Sequence, residues 1–252
     1  MKLTILGTSA AYAGKEQNCP SYLLSAGEQH YIIDTGPGCV SFLQKFMSFQ
    51  DITGVLLSHL HADHISDFST LRYALSIAQD KGLMKREIPL YLPGKPRDMF
   101  KVIRKTAKEN FNLMLITESL TLSLNGLKVR FKKTAHSIPA YAMRIDDHRG
   151  DSGEKSLVYT ADTAYFEELV QFSKGADILL AEATFQNSEK EFENLGHMTA
   201  ESAAALAQNA GVHTLILTHI MPYYNPDLSL EEAERGFDGN IIIAQKGQQY
   251  TL

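Results

Sequence analysis

Three observations predict an α/β fold laid out as a single domain over residues 1–252. Strand-like runs of branched and aromatic residues alternate with helical patterns along the whole chain. Both kinds occur in both halves, and no Pro/Gly/Ser linker or low-complexity stretch offers a place to cut. Each half also opens with antiparallel-looking hairpins and then shifts to strand-helix alternation. Stacked face to face, two such halves form a two-sheet sandwich with helices outside, and residues at the strand ends meet along one edge.

In chain order, the strands of the first half fall at Lys2 to Leu6, Ser21 to Ser25, Tyr31 to Asp34 and Val55 to Ser58. Those of the second half fall at Lys128 to Ala135, Tyr141 to Ile145, Ser156 to Thr160, Ile178 to Ala181, Thr214 to Thr218 and Ile241 to Ala244. Helical patterns cover Val40 to Phe49, Ser66 to Lys81, Pro96 to Lys108, Ala164 to Ser173, Thr199 to Asn209 and Ser229 to Arg235. Around the Ala-rich stretch, Thr199 is a good N-cap and Gly211 a good stop.

Composition narrows the function classes. With 24 basic and 29 acidic residues the formal charge is −5, so there is no broad electrostatic footprint of a nucleic-acid binder. The basic run Lys81, Lys85, Arg86 reads as a solvated face. No apolar run reaches membrane-spanning length, and the opening Met1 to Gly7 reads as a strand and turn rather than a signal peptide. Two cysteines, Cys19 and Cys39, without a paired motif argue against a disulfide framework and against a thiolate zinc site. The expected address is the cytoplasm, with no membrane partner.

The chemistry gathers in His59-Leu60-His61-Ala62-Asp63-His64, directly after the apolar run Gly54 to Ser58. In an extended segment residues i and i+2 project to one side, so His59 and His61 can bind one cation together. A bend after His61 turns Asp63 and His64 away, toward a second cation. Imidazole and carboxylate suit zinc, with manganese or iron as substitutes. Three later strands also end on metal-capable residues, namely His136, Asp162 and His219. Taken with the first cluster they complete two shells, with Asp162 as the natural bridging carboxylate. His30, His148 and His213 fit no such role.

In this arrangement the chain resembles the metallo-β-lactamase-fold hydrolases. The match runs from Leu6-Gly7-Thr8-Ser9 through Tyr159-Thr160-Ala161-Asp162-Thr163 to Leu217-Thr218-His219. The likeness is to the phosphodiesterase branch that includes ribonuclease Z and the cyclic-phosphate phosphodiesterase associated with carbon-phosphorus lyase. It implies a four-layer αββα sandwich and two divalent metal ions. One would take His59, His61, His136 and Asp162; the other would take Asp63, His64, Asp162 and His219. Metal-bound hydroxide would be the nucleophile. It also implies a homodimer with the helix after His64 at its interface.

A departing alkoxide needs a proton, which a histidine held by a carboxylate supplies. In the ribonuclease Z pattern such a pair stands at the places of Glu182 and His197, so Asp63, Glu182 and His197 are the candidate catalytic residues. The pair favours phosphodiesters over lactams or thioesters. Four departures bear on substrate. Ala181 stands where the pattern has histidine, Ala161 where it has glycine, and Tyr223-Tyr224 where it tends to an arginine-tyrosine pair. The interval from His136 to Asp162 holds only a hairpin with the polar turn Asp146 to Lys155, too short for a tRNA-gripping arm. A small cyclic or diester phosphate is therefore the expected substrate, and RNA is the less favoured one. A tRNA 3′-end endoribonuclease, a lactone or thioester hydrolase, and a non-catalytic metal-dependent binding or regulatory protein stay as alternatives. The segment Thr8 to Asn18 is expected to loop over the metals, and Tyr223 or Tyr224 either donates to a phosphate oxygen or packs in the core.

Overall fold

The computed structural model describes residues 1–107, 110–149 and 153–252, in two compact units. The first unit contains residues Met1–Ile116 and Gln245–Thr251, the second Thr117–Ala244 with Leu252. Each is built on its own seven-stranded mixed sheet.

In the first unit, β1 (Lys2–Gly7), β2 (Ser21–Ala26) and β3 (Gln29–Ile33) pair antiparallel, and the late strand β14 (Gln249–Thr251) adds to β1. Gly27, at φ +63°, makes the two-residue turn of the β2/β3 hairpin, where a Cβ would be strained. After the short helix α1 (Cys39–Leu43) the sheet continues in parallel through β4 (Gly54–Leu56), β5 (Ile88–Leu92) and β6 (Phe111–Leu115). Between β4 and β5 lie α2 (Ala62–Ile65) and α3 (Phe68–Asp80); α4 (Arg97–Ala107) precedes β6. The expected end of that last helix, Lys108, lies outside the described residues. The helix expected over Ser66 to Lys81 is α3, preceded by the additional short helix α2, and the one expected over Val40 to Phe49 ends at Leu43. Phe68, Leu71, Leu75 and Ala78 form the buried stripe of α3, and the Phe68 ring sits 5.0 Å from Phe111.

Strand β5 escapes sequence reading because Pro89 interrupts it and proline removes a ladder donor. The donor is not missed, since β4 pairs with β5 only from Leu90 onward.

The second unit repeats the plan. β7 (Thr121–Leu124), β8 (Leu127–Lys133), β9 (Tyr141–Asp147) and β10 (Lys155–Tyr159) run antiparallel. The sheet then continues in parallel through β11 (Ile178–Glu182), β12 (Thr214–Thr218) and β13 (Asn240–Ile243). Residues 150–152 of the expected Asp146 to Lys155 turn lie outside the described residues. Helices α5 (Glu167–Ser173) and α6 (Ala200–Ala210) share a core with Val158, Leu179, Ala181, Leu215 and Leu217. The small buried faces of Ala200, Ala203, Ala204 and Ala207 let α6 lie close on that sheet. Its caps are as expected: Thr199 Oγ1 accepts the Ser202 amide, and Gly211 closes the helix at φ +61°. Helix α7 (Pro226–Glu234) begins three residues before the expected Ser229, because Asn225 caps it and Pro226 suits the first turn. No helix among the described residues is long and apolar enough to cross a membrane.

Candidate functional site

The first half of the candidate site grows from the end of β4. Leu57 and Ser58 continue the buried run to His59, which is fully buried. His61 is still extended, with φ −73° and ψ 152°, and serves as N-cap of α2, so the turn into helix carries Asp63 and His64 off in a new direction. The His59 ring centroid lies 4.9 Å from His61 and 4.0 Å from His64, and His64 Nε2 lies 3.6 Å from Asp63 Oδ2. The expected loop from Thr8 to Asn18 reaches this cluster, with the Ala11 amide donating to Asp63 Oδ2 at 3.1 Å.

Asp34 orients the cluster, although sequence reading treats it only as the end of a strand. Its buried carboxylate accepts the Ser58 amide and hydroxyl, each at 2.7 Å, and His64 Nδ1 at 2.8 Å. The Ser58 hydroxyl donates to Asp34, so it accepts from His59 Nδ1 at 3.0 Å. Both rings therefore hold their proton on Nδ1, which makes Nε2 the atom that could take a metal. Asp34 sits at φ +56°, an αL conformation that Asp tolerates better than most residues. The thiols take no part. Burial, with Asp63 and Asp67 adding to it, pushes Cys19 up to about 12, and burial pushes Cys39 up to about 12 against a hydrogen bond from Ser21. Neither is a thiolate near neutral pH.

The second half lies within the second unit. His136 Nδ1 donates to the Gly196 carbonyl at 2.9 Å, and His219 Nδ1 to Thr184 Oγ1 at 2.7 Å. Asp162 presents one oxygen to each ring: Oδ2 is 3.9 Å from His136 Nε2, and Oδ1 is 3.5 Å from His219 Nε2. A carboxylate with its two oxygens facing two imidazoles could bridge two cations. The residue before it, Ala161, is in the left-handed region at φ +51°, which explains why glycine suits that place in the ribonuclease Z pattern.

Glu182 is fully buried. Its Oε1 accepts the Thr163 amide and His197 Nδ1, both at 2.9 Å, and its Oε2 accepts the Thr184 amide at 3.0 Å and hydroxyl at 2.7 Å. The His197 side chain remains 19% exposed, and its ring stacks on His219 at 5.6 Å. Thr184 thus joins His219 to Glu182, and Glu182 joins Thr184 to His197. Thr184 and Gly196 carry no composition or spacing signal of their own, because their roles depend on partners distant in sequence. Tyr223 is 59% exposed and so is no core residue, while the Tyr224 hydroxyl is buried without an acceptor among the described residues.

A family model described as a Beta-lactamase superfamily domain matches residues 29–220. The chain belongs to this superfamily. It is a metallo-hydrolase of the beta-lactamase fold, the α/β class expected from the sequence. Among relatives, a probable metallo-hydrolase YhfI of Bacillus subtilis is 30% identical over 98% of both chains. The crystal structure of that metallo-beta-lactamase fold protein matches 99% of this chain and 98% of its own with a TM-score of 0.90, at 28% identity. Ribonuclease Z of Archaeoglobus fulgidus is 27% identical, over 96% of this chain and 94% of its own. A diphosphatase of the PhnP family shares the fold, with a TM-score of 0.79 at 20% identity over 100% of this chain and 97% of its own. Ribonuclease Z, which the sequence motifs resemble, is thus among the relatives of this chain.

Proposed function

We propose that this metallo-hydrolase is a phosphodiesterase of small cyclic or diester phosphates that works with two divalent ions, zinc first among them. The donor chemistry fits such ions, since His59, His64, His136 and His219 all hold Nδ1 against a protein oxygen and turn Nε2 to the ligand role. His59, His61, His136 and Asp162 would hold one ion; Asp63, His64, Asp162 and His219 would hold the other. Bound there, the ions lower the pKa of a water and offset charge on a phosphoryl oxygen.

The observation that carries the proposal is the Glu182–His197 pair. Glu182 accepts Nδ1–H of His197 and leaves Nε2 to carry the proton that a departing alkoxide needs. Three donors besides the ring hold Glu182, so the ring keeps one orientation. With zinc or manganese the protein should turn over bis(p-nitrophenyl) phosphate. In His197→Ala, kcat should fall about 10²- to 10⁴-fold on a diester with an alkyl leaving group. The loss should be smaller on the nitrophenyl diester, whose leaving group needs little protonation, and metal content should be unchanged. No turnover by fully metallated protein would sink the reading.

A second reading, cleavage of an RNA phosphodiester, is favoured by the ribonuclease Z relative and disfavoured by the net charge of −5. The two buried free cysteines suit a reducing compartment such as the cytoplasm. Tyr73 and Ile77, 66% and 50% exposed on α3, suit the homodimer implied by the resemblance.

A further inference from the structure

The second unit carries a cationic cavity that the proposed reaction does not use. On β8 and β9 Arg130 and Arg144 stand directly opposite each other, and Lys132 follows two residues after Arg130 on the same side. Like charges opposed across a ladder repel. A single buried carboxylate, Asp146, sits between them, taking Arg130 Nη2 at 2.8 Å on one oxygen and Arg144 Nε at 2.9 Å on the other. Two guanidiniums thus share one negative charge.

Arg144 is further tied by Nη1 to the carbonyls of Phe172 and Lys174, at 3.2 and 2.9 Å, and its side chain is only 13% exposed. Its fork is therefore held in place before any ligand arrives. Arg144 Nη2, Arg130 Nη1 and the Lys174 ammonium donate to none of the described residues. Lys132 is held by Glu118 at 3.2 Å. These groups line a cavity of about 570 Å³ between the sheet and the end of α5, together with Glu168, Gln171 and Phe172. That volume is in the range of small-molecule sites and far exceeds what one oxyanion fills.

We propose that this cavity binds the phosphate group of a small phosphorylated molecule, with Arg144 Nη2 as the fixed donor and Arg130 Nη1 and Lys174 closing on the remaining oxygens. A dianionic tetrahedral group matches the two guanidiniums and the ammonium, whereas a carboxylate carries half the charge and two acceptors only. The proposal stands apart from the hydrolytic reading, because it is tested by binding and needs no turnover.

The test follows the arginine Nε–Hε resonances of the ¹⁵N-labelled, metal-loaded protein during titration with inorganic phosphate and then AMP, at ~0.15 M salt. Two arginine signals should shift and saturate by ~10 mM phosphate, as a dissociation constant of about 1 mM or below gives. Arg130→Gln should weaken binding about tenfold or more, and Lys174→Gln, on an exposed residue, should weaken it severalfold with the rest of the spectrum unchanged. The proposal is overturned if no saturable shift appears, if acetate at equal ionic strength produces the same shift, or if both variants bind as the parent does. It is also overturned if a single-stranded oligonucleotide saturates these signals while phosphate and AMP do not.

Discussion

Hydrogen bonds to Nδ1 set what the histidines can do. His59, His64, His136 and His219 each meet an oxygen there, and those oxygens belong to Ser58, Asp34, Gly196 and Thr184. Thr184 is the most exposed to test, since one hydroxyl donates to Glu182 and accepts from His219. Thr184→Val keeps the shape and leaves His219 Nδ1–H without that acceptor. Zinc affinity should fall about 10- to 100-fold, read by competition with a chromophoric chelator. Stability should fall by about 1–3 kcal/mol in chemical denaturation. Thr184→Ser should restore both, and an affinity unchanged in Thr184→Val would remove the threonine from the metal-orienting role.

Elements deliver these residues through their ends. Gly196 follows the 3-10 segment Asn187–Leu195 at φ +97°, and a Cβ there would stand 2.9 Å from His136 Cα. Gly196→Ala should therefore cost about 1–3 kcal/mol of stability and displace His136, with thermal unfolding and metal content as the two measurements. Just before β11, burial would raise the Asp177 carboxyl, but Lys155 at 3.0 Å and the Ser156 amide and hydroxyl outweigh it and leave the group below the usual carboxylate range. A depressed folded-state value stabilises above the unfolded value near pH ~3.9 and is lost as pH falls through the folded one. Asp177→Asn should accordingly lower stability at pH 7 and flatten its acid dependence below about pH 4, read by urea titration at several pH values. An unaltered acid profile would show that the Lys155 and Ser156 contacts contribute nothing. The same contacts join two strands that the sequence shows only as separate apolar runs.

Across the whole molecule, buried histidines and carboxylates recur in both units, and bound cations are what would stabilise them together. Removing metal with a chelator should lower the unfolding temperature, by several degrees if each ion is held at ~100 times its dissociation constant. Calorimetry with and without zinc reads this, and identical curves would argue against metal binding in the native state. The sequence by itself determined the α/β class, the organisation of each half as hairpins followed by strand-helix alternation, and the residues with metal-ligand chemistry. Those signals are local: side-chain periodicity is set by backbone geometry, and a His-x-His-x-Asp-His run concentrates donors over six positions. Only tertiary structure decided which oxygen meets each Nδ1, that Asp162 turns its oxygens to two different rings, and that Gly196 must lack a side chain. It likewise decided that Arg130 and Arg144 share Asp146 above a cavity. Each of these depends on register or on contacts between residues far apart in the chain, and a pattern of residue types carries no information about which distant groups fold into hydrogen-bonding distance.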